Sequence, residues 1–375
     1  MNEKVFIKLL GYYIKEYSLV FTIIFLSAVF SIFYNNYRLG INDHIIYLPY
    51  LEHIKNGTFA NDDILKIFNG RASFFFLYFG WLYKFLSIGA ATLSLQVYSI
   101  FLYYISIYFF AKTFIKGKYT PLLVLLFFLE SKATFGFITD FDYSHFLIRN
   151  LATPLFISSI AFTLRKKIIP AIVLSGIGFS LHVISGLHFF ILYGLYLVYN
   201  SIKSKKIEIK YFTIFAITHL PILIYKFFIA KSVYHLPLFT IDYNYFALEK
   251  SVLASFLDVN SYTYLISMEF GLVFAVIGVY AMYKVLKSDD MHLHQNKEFI
   301  KNFLLYIVAY SIFIIILNHL LLVYLPFAIV LQLQLIRFSK FLLILNSVFI
   351  AVFVIKHYDR NNIFWWILTI ALIFG

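Results

Sequence analysis

The sequence predicts an all-α polytopic membrane protein, and three observations support this fold class. Hydrophobic residues make up 62% of the 375 positions and charged residues only 13%, roughly half the charged fraction of a soluble protein. The mean hydropathy is +0.84. Apolar runs close to the roughly 20 residues that a transmembrane helix needs recur along the chain. We therefore expect about ten to twelve transmembrane helices in one integral membrane domain over residues 1–375.

The charged residues orient the chain and exclude some functions. The formal net charge is +13, and because Lys and Arg mark the cytoplasmic loops of multi-span proteins, it predicts contact with membrane lipids and not with nucleic acid. The chain has no Cys, which excludes disulfides and thiolate chemistry. Lys4, Lys8 and Lys15 precede the first apolar run, residues 19–33. The N-terminus is therefore predicted to be cytoplasmic, in a plasma membrane or bacterial inner membrane.

Basic clusters then divide the remaining chain into predicted crossings. After the first, these are residues 91–110, 120–137, a span ending at 165–167, 168–181, 187–199, 211–229, 264–283, 303–317, 341–355 and 361–375. Residues 34–90 become a long first extracytoplasmic loop with two interfacial helices, 45–55 and 73–87. The segment 320–335 is expected to be half inserted from the outer side.

Aspartate is concentrated on the predicted outer side, which holds seven of the ten Asp residues. Aspartate contributes little to membrane topology, so this clustering suggests chemistry on the outer face. The seven are Asp43, Asp62, Asp63, Asp140, Asp142, Asp242 and Asp258.

The outer loop opens with Asp43, His44 and Tyr47. Asp43 would cap the helix that follows, act as a general base toward an incoming hydroxyl, or help to hold a divalent cation with Asp62, Asp63 or Asp140. Pro49 fits this helix only if the helix begins just before it.

Three further outer carboxylates, Asp62, Asp63 and Asp140, are the predicted metal ligands. Carboxylate oxygens suit Mg²⁺ or Mn²⁺. A divalent cation is therefore the one cofactor that the sequence suggests.

The N-terminal third resembles a known superfamily. The order of a short basic N-terminus, a first span, Asp43-His44-x-x-Tyr47, a helix, Gly57 and Asp62 is similar to the start of the GT-C glycosyltransferases. The resemblance covers roughly the first 110 residues and the rhythm of the spans. It implies a GT-C-like fold, a polyprenyl-phosphate sugar donor, and Asp43 as the catalytic base of an inverting displacement. The chain departs from the family at His44, often Glu there, and at residues 70–76, which lack the family's His-x-Pro-Pro element.

A second polar group follows at Asp142, His145 and Arg149. Their spacing of three and four predicts one helical face, with Arg149 about one turn inside the span. Arg149 would either form a salt bridge that locks the helix end or bind a phosphate as a bidentate fork.

His182 and His188 flank Ser185 and Gly186. A broken span edge would let both imidazoles reach one cavity, where they would contact a sugar or phosphate. Metal binding by the pair and a simple interfacial position are the alternatives. His319 is expected at the outer membrane surface, at the level of Arg337 and Lys340.

A last candidate group contains Gln334, Arg337 and Lys340 near the start of the span 341–355. Arg337 and Lys340 would either hold a lipid phosphate together or anchor the helix end by snorkelling.

The sequence therefore predicts a glycosyltransferase that uses a polyprenyl-phosphate sugar on the extracytoplasmic side. A transporter or flippase of lipid-linked glycans is an alternative, but it would need polar residues through the middle of the spans. A glycan polymerase is another, and it would rely on Arg residues in large outer loops.

Overall fold

The structure is a computed structural model that describes residues 3–40, 44–56, 74–129, 133–134, 138–139, 141–225, 262–288, 296–324 and 335–357. Within these ranges the chain is helical, apart from turns and a short antiparallel pairing of Ala133–Thr134 with Ile138–Thr139. The helices enclose one continuous apolar core.

Twelve α-helices lie in the described part of the chain. They are α1 (Glu3–Tyr34), α2 (His44–Asn56), α3 (Phe75–Phe79), α4 (Leu82–Phe85), α5 (Ile88–Ala111), α6 (Ile148–Leu164), α7 (Ile168–Leu181), α8 (Val183–Ser204), α9 (Ile209–Ile224), α10 (Tyr262–Lys287), α11 (Lys297–Tyr324) and α12 (Ser339–His357). Two 3₁₀ helices, Thr120–Phe128 and Leu335–Phe338, complete the set.

Five segments in the described ranges are long and apolar enough to cross a bilayer. They are Tyr17–Tyr34, Ile88–Ala111, Val183–Ser204, Lys297–Asn318 and Ser339–His357. Helices α6, α7 and α9 are also apolar but shorter. The predicted all-α fold is thus confirmed for the described residues, with five helices that are candidates for membrane spans. The ten to twelve crossings and the GT-C-like arrangement stay predictions.

Contacts between α1 and α5 fix their relative direction. Tyr17 of α1 accepts a hydrogen bond of 2.6 Å from Lys112, just after α5. Further along α1, Ser31 lies 2.5 Å from the hydroxyl of Tyr104. Residue numbers rise along α1 as they fall along α5, so the two helices are antiparallel.

Helices α6, α8 and α12 run parallel to one another. Lys340, at the start of α12, contacts Thr153 of α6 and Ser185 of α8. Farther along, Thr163 of α6 and Tyr193 of α8 share a hydrogen bond of 2.8 Å. Arg165, just after α6, donates to the Phe109 carbonyl near the end of α5, and the ring centroid of Phe349 in α12 lies 4.9 Å from that of Phe114 just beyond that end. The three helix starts therefore lie together at one end of the bundle.

The opposite end collects many of the cations, and we call it the basic end. It holds the C-terminal ends of α5, α6, α8, α10 and α12 and the start of α11. Its cations include Lys112, Lys118, Arg165, Lys166, Lys203, Lys284, Lys287, Lys297 and Lys356. This segregation is typical of a protein whose basic end faces the cytoplasm.

The short 3₁₀ helix Thr120–Phe128 ends against side chains from neighbouring elements. The Phe128 carbonyl accepts hydrogen bonds from the hydroxyls of Tyr104 at 3.0 Å and Tyr143 at 2.5 Å. The amide of Asn35 donates to the Leu129 carbonyl at 2.9 Å. Helix-end carbonyls without an intrahelical partner need such donors, and these bonds fix the chain as it enters residues 141–147.

Several predicted boundaries are corrected. α2 begins at His44, so Pro49 lies inside the helix. The predicted helix 73–87 is two short helices, α3 and α4, interrupted at Gly80 and Trp81. In the described part of the predicted span 120–137, Thr120–Phe128 is a 3₁₀ helix and Ala133–Thr134 is a short strand, so the segment is not one continuous helix.

The C-terminal third needs one further correction. α11 continues without a break to Tyr324, so the predicted half-inserted segment does not begin as a separate element at residue 320. Its remainder, 325–334, lies outside the described residues, as does the predicted last span 361–375.

Candidate functional site

A polar turn precedes α6 at the end of the bundle opposite the basic end. The Asp142 carboxylate accepts hydrogen bonds from the Ser144 backbone N–H at 3.1 Å and its hydroxyl at 2.8 Å. His145 Nδ1 lies 3.1 Å from the same oxygen. An Asp carboxylate that accepts a hydrogen bond from the backbone N–H two residues further along the chain stabilises a turn.

This turn corrects the predicted helical face. α6 begins at Ile148, after Leu147 in an extended conformation, so Asp142 and His145 are not helical. Arg149 lies in the first turn of α6, not a turn inside it. The three side chains still converge, because the turn brings Asp142 within 4.0 Å of the Arg149 guanidinium.

Two buried amides that the sequence analysis missed hold the turn in place. Gln96 of α5 donates to the Asp142 carbonyl at 2.9 Å, and Asn150 of α6 donates to the same carbonyl at 2.7 Å. Both side chains are buried. Their signal in the sequence is an uncharged amide within an apolar run, which identifies no particular partner.

The pKa of Asp142 is shifted by opposing effects. Burial raises it, but the hydrogen bonds from His145 and Ser144 and the positive charges of His145 and Arg149 outweigh burial and hold the pKa below its ordinary value. Asp142 is therefore ionised at neutral pH, where its carboxylate contacts His145 Nδ1 and the Arg149 guanidinium.

This shift predicts a pH dependence of stability. Because the folded-state pKa is lower than the ordinary value of about 3.9, the stabilisation is complete above that value and is lost as the pH falls through the folded-state pKa. Asp142→Asn keeps an oxygen acceptor for Ser144 and should lower stability at neutral pH by about 1–2 kcal/mol.

Thermal unfolding followed from pH 7 down to acid pH tests this expectation. Wild type should lose more of its melting temperature on acidification than Asp142→Asn does. Parallel pH profiles for the two proteins would contradict it.

A second group of polar side chains, the Lys340 cluster, lies between α6, α8, α11 and α12. Lys340 Nζ is 3.3 Å from Thr153 Oγ1 and 3.2 Å from Ser185 Oγ. The Lys340 side chain is only 3% exposed. Thr153 also donates to the Arg149 carbonyl at 2.9 Å, so the cluster lies one turn of α6 below Arg149.

His188 completes the Lys340 cluster. Its Nδ1 lies 3.5 Å from the Tyr310 hydroxyl, and its ring centroid is 5.2 Å from that of Phe338. The other ring nitrogen, Nε2, is buried and has no hydrogen-bond partner in the described part of the chain. Buried polar atoms are nearly always bonded, so this nitrogen is a candidate contact for a ligand.

His182 has a different position from the one predicted. It is the only residue between α7 and α8, and its Nδ1 accepts the Ser185 backbone N–H at 3.2 Å. It therefore caps α8 and orients Ser185. His188 lies six residues further along α8, in the Lys340 cluster. The two imidazoles therefore contact different groups.

The remaining predicted site residues are described only in part or not at all. For His44, Tyr47, His319 and Arg337 the structure describes the backbone alone. Asp43, Gln334 and the predicted metal ligands Asp62, Asp63 and Asp140 lie outside the described residues. Among the residues that are described, no three His, Asp or Glu side chains are grouped as metal ligands.

The fold and this site define an α-helical membrane protein with buried cationic and hydroxyl groups between its helices. No protein-family model matches the chain, and no curated protein or solved structure matches it either. Functional interpretation therefore depends on the chemistry of these side chains.

Proposed function

We propose that the protein is a membrane glycosyltransferase that takes a sugar from a polyprenyl-phosphate carrier and transfers it to an acceptor hydroxyl outside the cytoplasm. The observation that supports this proposal most strongly is the Lys340 cluster. A buried ammonium lies within hydrogen-bond distance of two hydroxyls there, and the imidazole of His188, whose Nε2 is unpartnered in the described part of the chain, is close enough to feel the Lys340 charge. These are hydrogen-bond donors suited to phosphate oxygens.

The tautomer of His188 is consistent with a donor role. If the Tyr310 hydroxyl donates to Nδ1, the neutral ring carries its proton on Nε2. Nε2 then donates to a phosphate oxygen. Lys340 supplies the positive charge that a phosphate leaving group requires as the glycosidic bond breaks.

The turn that holds Asp142, His145 and Arg149 would contact the sugar or other oxygens of the phosphate. Arg149 is one turn above Thr153 and is 28% exposed at the side chain. Its 4.0 Å contact with Asp142 is long, which leaves guanidinium N–H groups for a ligand. Asp43, the predicted base, directly precedes α2 in the chain and would remove the acceptor proton.

A transfer assay tests the proposal. Purified protein should transfer label from a radiolabelled polyprenyl-phosphate sugar to an acceptor. Asp43→Asn should retain the fold and lose at least about a hundredfold in rate. Full activity in this variant would remove Asp43 from the mechanism, and no transfer by wild type from any donor tested would contradict the proposed class.

The alternative functions predict different outcomes when the purified protein is placed in lipid vesicles with the same labelled donor. A flippase would move the labelled lipid across vesicles without forming product. A polymerase would extend a lipid-linked glycan and would need no polyprenyl-monophosphate sugar.

A further inference from the structure

A cleft at the basic end is separate from the site described above. It has a volume of about 510 Å³ and lies between the last turns of α8 and the first turns of α9, beside the start of α7. The Lys340 cluster is at the other end of α8, roughly ten residues or more away at 1.5 Å per residue. The cleft is therefore independent of the proposed transfer reaction.

The lining of this cleft is amphipathic. Its lining includes the buried Tyr196 and Leu197 and the half-buried Tyr211 and Phe212. The exposed Lys203 and Lys206 also line it, and we call these two the rim lysines. Two lysines beside hydroxyl and amide side chains complement an anionic head group.

The two rim lysines differ in their partners. Lys206 lies 3.8 Å from Glu208 in an exposed ion pair, and such pairs are weak. Lys203 lies 5.8 Å from the ring centroid of Tyr199 and forms no ion pair within the described residues. A second anion can therefore be accommodated beside the rim lysines.

An exposed apolar stripe of α8 lies on a different face of the helix from most of the residues that line the cleft, and it meets the cleft at Lys203, which lies over the Tyr199 ring. Leu195, Val198, Tyr199 and Ile202 are exposed along one stripe of α8, and Ile202 is 73% exposed. Residues at these intervals lie on one helix face. In a bilayer this stripe is covered by lipid chains, so a lipid on it would have its head group at the rim lysines.

We infer that this cleft binds the phosphate-containing head group of an anionic phospholipid from the leaflet at the basic end, with the acyl chains on the α8 stripe. The lysines supply the charge, and the tyrosine hydroxyls and the side chains of Asn200 and Ser201 offer hydrogen bonds to the head group. Anionic lipid is enriched in the cytoplasmic leaflet, where basic residues attract it.

Native mass spectrometry of the full-length protein tests the inference, with phosphatidylglycerol as the probe and phosphatidylcholine as its zwitterionic comparison. Wild type should retain phosphatidylglycerol in preference to phosphatidylcholine. The double variant Lys203→Gln with Lys206→Gln should weaken phosphatidylglycerol retention by roughly fivefold for each lysine. Glu208→Gln should strengthen it, because the competing carboxylate is removed.

Lys284→Gln with Lys287→Gln is the matched control. These lysines are also at the basic end, and each lies over a tyrosine ring as Lys203 does. The control should bind phosphatidylglycerol as wild type does. An equal loss of phosphatidylglycerol retention in the control would show that overall charge alone attracts the lipid. Equal retention of both lipids by wild type would show that binding is apolar only. Either result overturns the inference.

Discussion

Replacing Lys340 by Met is expected to lower the rate of sugar transfer by about a thousandfold. Met keeps the length of the side chain and its apolar contacts, but it removes the ammonium that lies 3.2 Å from Ser185 Oγ and 3.3 Å from Thr153 Oγ1. Without this ammonium the departing phosphate would lose the buried positive charge of the Lys340 cluster. The loss should fall mainly on kcat, because the negative charge on the leaving oxygen develops in the transition state.

Three comparison variants make this result specific. Ser185→Ala and Thr153→Val remove the hydroxyls beside the ammonium and should lower the rate by less than Lys340→Met does. Lys297→Met removes a lysine at the basic end and should leave transfer unchanged. The assay follows kcat and KM for the polyprenyl-phosphate sugar, together with the melting temperature of each variant.

A Lys340→Met protein that melts near the wild-type temperature and transfers at the wild-type rate would exclude Lys340 from the site. A large loss of melting temperature without loss of specific activity in the folded fraction would assign Lys340 a structural role.

Gly186→Ala is expected to have the largest effect on stability. Gly186 is in the first turn of α8, and an added Cβ would overlap the backbone and ring of Phe179 in α7. Only one residue, His182, separates the two helices, so neither helix can move away without moving the junction. Overpacking of this kind costs about 1–3 kcal/mol.

Gly194→Ala is the control on the same helix. Its added Cβ would lie 3.6 Å from the nearest atom of Phe215, an ordinary contact. Ala is a better helix former than Gly by roughly 1 kcal/mol, so this variant should be neutral or slightly more stable.

The melting temperature in detergent measures both effects. Each kcal/mol corresponds to roughly 2–4 °C for a chain of moderate length. Gly186→Ala should also reduce transfer, because Gly186 lies between Ser185 and His188. Equal melting temperatures for the two Ala variants would show that α7 and α8 are not packed as described.

The helical segments were predictable because each leaves a local signal. The predicted span 168–181 coincides with α7, and the predicted start and end of most other spans differ from the helices by a few residues. A run of apolar residues must form its backbone hydrogen bonds internally in lipid, and a helix does this whatever its neighbours are. The 3₁₀ helix Thr120–Phe128 and the turn at Asp142 are different, because hydrogen bonds from distant side chains hold them.

The residues of the candidate site also divide into those with a local signal in the sequence and those without one. Lys340, Arg149 and His188 were visible as polar residues in an apolar chain. Placing such a side chain in a membrane costs enough free energy to suggest a function for each. Thr153, Ser185 and Tyr310 were not visible, because hydroxyls are common in spans. Thr153 and Ser185 meet Lys340, and Tyr310 meets His188, because helices α6, α8, α11 and α12 pack together.

The sequence by itself determined that the chain is helical and apolar enough for a membrane, and that its cations fall at the ends of apolar runs. These properties follow from composition and from local backbone hydrogen bonding. Only the tertiary structure decided that α6, α8 and α12 start side by side, which places Lys340 against Thr153 and Ser185. Helix pairing depends on the fit of side chains from segments more than a hundred residues apart, and no local pattern encodes that fit.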